Sequence, residues 1–152
     1  MTLGVGIEGL QEARASAALP AAGAWDAAPT ELRVSGAERC MLQITYTEGA
    51  GAGAFALQLQ TSIYSLTAMA PAGAGEWADA TAYAVGAVVG GADVTSLIQG
   101  NVIQFTPVGA GAETFTFGPI ELFELVERIR IPAQEVGVIA NPGTLQVELL
   151  AV

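Results

Sequence analysis

Cys40 and a handful of carboxylates are the side chains whose types and spacing come nearest to chemistry. A cysteine nucleophile needs a neighbouring base to raise its thiolate fraction. The chain contains no histidine and its only basic residues are five arginines, so the usual activating base is missing. Cys40 sits in Arg39-Cys40-Met41-Leu42, which alternates like a strand, and it reads as a small buried hydrophobe. As the only cysteine it closes no intrachain disulfide. Without histidine neither a Ser-His-Asp nor a Cys-His arrangement can be written, and without lysine there is no Schiff base and no phosphate-loop lysine. Gly49-Ala50-Gly51-Ala52-Gly53 shares only glycine content with a phosphate-binding loop. It leads into a strand pattern and lacks the Gly-Lys-Ser/Thr ending, so it reads as a connector.

Carboxylates remain. Glu121, Glu124 and Glu127 are close in sequence, and on one straight strand Glu121 and Glu127 would share a face about 20 Å apart, beyond the separations of either glycosidase mechanism. Asp79, Asp93, Glu48 and Glu113 fall in or beside loops, where oxygen ligands can gather round Ca²⁺, but none has EF-hand spacing. They read as solvated loop carboxylates. The expectation is a chain with no catalytic residues, cofactor or metal, and no enzymatic activity.

Charge narrows the partners. The net charge is −10, from 15 acidic residues against 5 basic ones, and such a surface repels phosphate backbones and anionic membranes. Direct nucleic-acid binding is not expected. Apolar runs are broken by Gly, Pro or charge before reaching 18 residues, so no membrane helix is expected. Glu8 and Glu12 stand where a signal peptide would carry positive charge, and no signal is expected.

The elements that must position these residues are strands. Hydrophobic residues make up 52% of the chain, but 29 residues are alanine and 19 glycine, so the larger core-formers concentrate in a few segments. Residues 1–27 read as an N-terminal arm, or as a short alanine-rich helical segment over Leu10 to Leu19 that Pro20 stops. An arm of this kind can become ordered against a neighbouring subunit. From residue 28 to 152 a single β-sandwich domain is predicted, a length suited to one core.

Within it, Leu32 and Val34 precede a Gly36-Ala37 turn. Cys40, Leu42, Ile44 and Tyr46 then oppose Arg39, Gln43, Thr45 and Thr47. After the glycine loop, Phe55, Leu57, Leu59, Thr61 and Ile63 alternate with Ala56, Gln58, Gln60 and Ser62. These two long segments read as an antiparallel pair with one solvated face. Asp93 is placed to cap a short helical turn over Thr95 to Gln99. Strand patterns return at Val102 to Thr106, Thr114 to Phe117, Glu121 to Ile131, Glu135 to Ala140 and Leu145 to Val152, with a turn at Asn141-Pro142-Gly143. The fold class is therefore all-β, an antiparallel two-sheet sandwich of jelly-roll type. Met41, Tyr64, Met69, Trp77 and Tyr83 are candidate interface anchors. Each alone suits a core, and together they suit a self-associating protein.

Residues 31–64, from Glu31-Leu32-Arg33-Val34 through Cys40-Met41-Leu42-Gln43-Ile44-Thr45-Tyr46-Thr47 to Phe55-Ala56-Leu57-Gln58-Leu59-Gln60, resemble the opening hairpin of small jelly-roll or β-sandwich virion proteins of tailed bacteriophages, including capsid decoration (cement) proteins. The stretch from Arg130-Ile131-Pro132-Ala133 to Gly143-Thr144-Leu145-Gln146-Val147 is similar to their closing strands, so the resemblance covers residues 31–152 in style. It departs at Ala68 to Glu76, where an Asp-Gly turn before the tryptophan is replaced by alanine and glycine. The resemblance implies a homotrimer on the outer capsid surface that binds the major capsid protein and stabilises the shell. A tail or neck component of the same fold is the first alternative, and a non-catalytic carbohydrate-binding module using Trp77 or Tyr83 is the second.

Overall fold

The computed structural model describes residues 10–34, 36–49, 53–65, 70–71, 77–79, 87–89, 95–99, 102–107, 111–122, 126–136 and 141–152; for 22, 63–65, 70–71, 78–79, 87–89 and 95–99 the backbone alone is described. Alternation of apolar and polar residues sets the first sheet. In β3 (Arg39–Thr47), Cys40, Leu42, Ile44 and Tyr46 are fully buried, while Arg39, Gln43 and Thr47 are exposed. The same parity rule buries Leu145, Val147, Leu149 and Ala151 of β14 (Thr144–Ala151) and Phe115 and Phe117 of β11 (Ala112–Glu121). With β1 (Leu10–Ala18) and β8 (Ala87–Val89) they form an antiparallel sheet in the order β1-β14-β3-β11-β8.

A second sheet has the order β13-β4-β10-β9, from β4 (Ala54–Gln58), β9 (Thr95–Gln99), β10 (Val102–Thr106) and β13 (Ala133–Val136). A third joins β2 (Leu32–Arg33), β12 (Val126–Arg130), β5 (Gln60–Ser65) and β6 (Ala70–Pro71), with β7 (Ala78–Asp79) also on β5. These two are halves of one bent ribbon. Only Leu59 separates β4 from β5, only Ile131 and Pro132 separate β12 from β13, and the Gln58 N–H donates to the Pro132 carbonyl at 3.0 Å across the corner. Strands that bend from one sheet to the next in this way make the corners of sandwiches.

An aromatic stack holds the first and second sheets face to face. Tyr46 of β3 stacks on Phe55 of β4 with ring centroids 4.7 Å apart, and Phe55 stacks on Phe105 of β10 at 4.9 Å. Phe115 and Phe117 of β11 close on Phe105 at 5.7 and 6.2 Å. All five rings are fully buried, and offset or edge contacts of this kind add about 0.5–1.5 kcal/mol per pair beyond area burial.

The all-β sandwich is what the alternation predicts, but four local readings change. Leu10–Ala18 is a strand and not a helix: an isolated helix this short is marginal, whereas pairing with β14 satisfies its backbone and buries Ala13. β3 and β4 do not pair with each other. They lie in facing sheets, with β4 between β13 and β10, because alternation fixes which side is apolar and not which strand lies alongside. Thr95–Gln99 is β9, paired to β10, and not a helical turn; Asp93 lies outside the described residues. Finally, Glu121 ends β11 and Glu127 belongs to β12, so the two never share one straight strand.

Candidate functional site

Buried polar side chains mark the places where the fold departs from simple alternation. Glu135 is the first. It shares its inward parity on β13 with Ala133, and it is 2% exposed. Its Oε1 accepts the Tyr46 hydroxyl proton at 3.0 Å and the Gly143 N–H at 3.2 Å, while its Oε2 is buried with no partner among the described residues. Burial, then the Glu135 charge and hydrogen bond, then Glu48, raise the Tyr46 phenol above its ordinary 10.0. Gly143 permits the approach: a Cβ there would fall 2.5 Å from the Tyr46 ring.

Arg14 forms the second polar centre. Its Nε and Nη2 reach both carboxylate oxygens of Asp26 at 2.9 and 3.2 Å, its Nη1 donates to the Leu145 and Ala17 carbonyls at 2.6 and 2.9 Å, and its Nη2 also donates to the Ala18 carbonyl at 3.0 Å. All five donors of the guanidinium are thereby used. Asp26 in turn accepts the Ala133 N–H at 3.0 Å and returns its own N–H to the Ala133 carbonyl at 2.9 Å. A cavity of about 230 Å³ adjoins this clamp, lined by Ala13, Ala17, Pro29 and Ile131 among others. Because Arg14 is saturated, it offers a ligand there no free donor.

A third cluster lies on the bent ribbon. Arg130 lies 4.3 Å from the Trp77 ring centroid and Arg128 5.6 Å, and Arg130 Nε donates to Gln60 Oε1 at 2.7 Å. Arg128 pairs with Glu31 at 2.8 Å and Arg33 with the largely buried Glu127 at 2.9 Å. Trp77 is half-buried and serves as a seat for guanidinium groups.

The other residues singled out by the sequence scatter. Met41 is half-buried on β3, and its Cγ would lie 3.0 Å from a Cβ at Gly118. Tyr64 lies on β5 opposite Pro71, with its side chain outside the described residues, and Met69 and Tyr83 lie outside them altogether. Met41 lies on the first sheet, whereas Trp77 immediately precedes β7, which pairs with β5. Cys40 is fully buried and its thiol is pushed up to about 12 by desolvation. Glu48 Oε1 accepts the Gly53 N–H at 3.1 Å, closing the glycine loop. Glu113 stands opposite Tyr46 on the inward side of β11, and its Oε2 is buried without a partner among the described residues. Among the described residues no group of three or more Cys, Asp or Glu side chains is arranged to hold a metal ion, and no helix is long and apolar enough to cross a membrane.

Alternation alone missed Glu135, Arg14 and Asp26. A signal was present for Glu135, a carboxylate at the inward parity of a strand, but none marked Asp26, which lies in a non-repetitive segment. No protein-family model matches the chain, and neither does a curated protein or a solved structure.

Proposed function

We propose that the protein is a non-catalytic structural component of a virion, a capsid decoration (cement) protein that stabilises the shell through protein–protein contacts. The observation that carries this reading is where the polar chemistry is placed. Arg14, Arg33, Arg128 and Arg130 are engaged within the chain, and the Asp26, Glu127 and Glu135 carboxylates tie distant strands together. These groups hold a preformed sandwich, and a rigid body loses little freedom when it docks on a lattice. The excess of carboxylates favours a basic docking surface, and the resemblance of residues 31–152 to decoration proteins supplies the capsid as that surface.

A protein that binds only the assembled, expanded lattice lowers that state's free energy by mass action. Co-sedimentation with empty shells tests this before and after expansion. Saturable binding to expanded shells, together with a higher shell melting temperature, is expected. Failure to sediment with either form overturns the reading.

A further inference from the structure

We propose that Trp77, Ser62 and Arg130, together on the outer face of the third sheet, form a binding site for a single carboxylate group. Strand register builds the place. On β12, Arg128 and Arg130 share the outward parity, while Ile129 between them is buried. Arg128 stands opposite Ser62 of β5, and Arg130 opposite Gln60. On the other side of β5, Asp79 stands opposite Gln60 and Ala78 opposite Thr61, so one step further along that ladder Trp77 comes alongside Ser62. Its ring centroid lies 5.6 Å from Arg128 Cζ and 4.3 Å from Arg130 Cζ, and to reach them from β7 the side chain crosses β5 over Ser62. This accounts for a serine that is 0% exposed on the outer side of a sheet.

The cluster holds an excess of donors. Ser62 Oγ and Trp77 Nε1 are both buried, and neither has a hydrogen-bond partner among the described residues. A buried donor without an acceptor costs free energy that a ligand oxygen would recover. Arg130 adds the charge. Its Nε donates to Gln60 Oε1 at 2.7 Å, which together with the Trp77 ring fixes the guanidinium, and its two terminal nitrogens make no hydrogen bond or ion pair among the described residues. Arg128 and Arg33 differ, being already paired with the Glu31 and Glu127 carboxylates. Asp79 is third in the Arg130 row, with Gln60 between, at a backbone separation of roughly 10 Å. An acceptor entering beside Trp77 thus meets a hydroxyl, an indole N–H and a forked cation, the donor set of a charge-assisted carboxylate contact. A multiply charged phosphate would meet more of the repulsion from a chain of net charge −10. A carboxylate carries the least charge that still uses the fork.

Nitrogen–proton NMR of the full chain tests the site at the Trp77 Nε1–H itself. Its signal is told apart from that of Trp25 with Trp25→Phe, and is followed during titration with a glutamate capped at both ends and, separately, with glucuronate. Sodium chloride at matched ionic strength is the control. The Trp77 indole signal is expected to move saturably with at least one carboxylate and not with chloride, and the tighter of the two names the source as a protein side chain or an acidic sugar. Arg130→Gln weakens binding at least tenfold, whereas Asp79→Asn does not weaken it. Ser62→Ala weakens binding at least threefold without lowering the melting temperature, because the hydroxyl has no partner to lose in the free protein. An indole signal that moves with neither carboxylate, that moves equally with chloride, or whose response is indifferent to Arg130→Gln overturns the proposal. So does a Ser62→Ala variant that melts earlier yet binds as before, the result of a merely structural serine.

Discussion

Burial pushes the Cys40 thiol from 9.0 up to about 12 and raises the Tyr46 phenol above 10.0, and both shifts have the same sign for stability. The folded state holds these protons more tightly than the unfolded chain does. The contribution is complete below pH 9 and is lost as pH rises from 9 through 12, where the unfolded chain releases protons first. Urea melts should therefore show a stability that falls steadily with pH above 9, with a shallower fall in Cys40→Ala. The same thiol should ignore a disulfide reagent at pH 8 in native protein and react fully in denaturant; rapid native reaction would place Cys40 at the surface. Tyr46→Phe removes the donor to a carboxylate that is already short of partners, so a loss of about 1–3 kcal/mol is expected in denaturant titration. The burial of Cys40 was legible from its alternating neighbours. The Tyr46–Glu135 bond was not, because the two are 89 residues apart and no local pattern links them.

Strands were legible in proportion to how well their own residues alternate. β3, β10 and β14 have large side chains at every second position, and the structure places them where that alternation does. β1 has alanine and serine at most positions, so its conformation comes from long-range ties: pairing with β14, the Arg14 fork on Asp26, and the Leu19 N–H donated to the Gly143 carbonyl at 2.9 Å. Asp26→Ala leaves a guanidinium that is 11% exposed without its carboxylate, and should cost about 3 kcal/mol, the lower end for breaking a buried pair. Hydrogen exchange of the β1 amides should accelerate more than that of β3. At the bulge of β11, Gly118 has φ of +145° and a Cβ there would meet Met41 Cγ at 3.0 Å and the Cys40 carbonyl at 3.1 Å. Gly118→Ala is accordingly expected to destabilise by about 1–3 kcal/mol, and a neutral result would show that the bulge relaxes freely. Sheet partnership was the least legible property, since parity says nothing about which strands are neighbours; β3 and β4 show this most clearly.

For the whole molecule, the aromatic stack, the Arg14 clamp and the bent ribbon connect all three sheets into one packed body, which should melt in a single transition by both near- and far-UV circular dichroism. Its surface then decides its use. The resemblance of residues 31–152 makes the outside of a capsid the proposed place for this acidic sandwich. Imaging of the particle that carries the protein, by cryo-electron microscopy with antibody labelling, tests the central reading most directly. Density matching the sandwich, repeated over the outer shell at lattice positions, is the predicted result. Particles whose outer shell carries neither label nor such density, with label confined to the tail or neck or absent altogether, would contradict it.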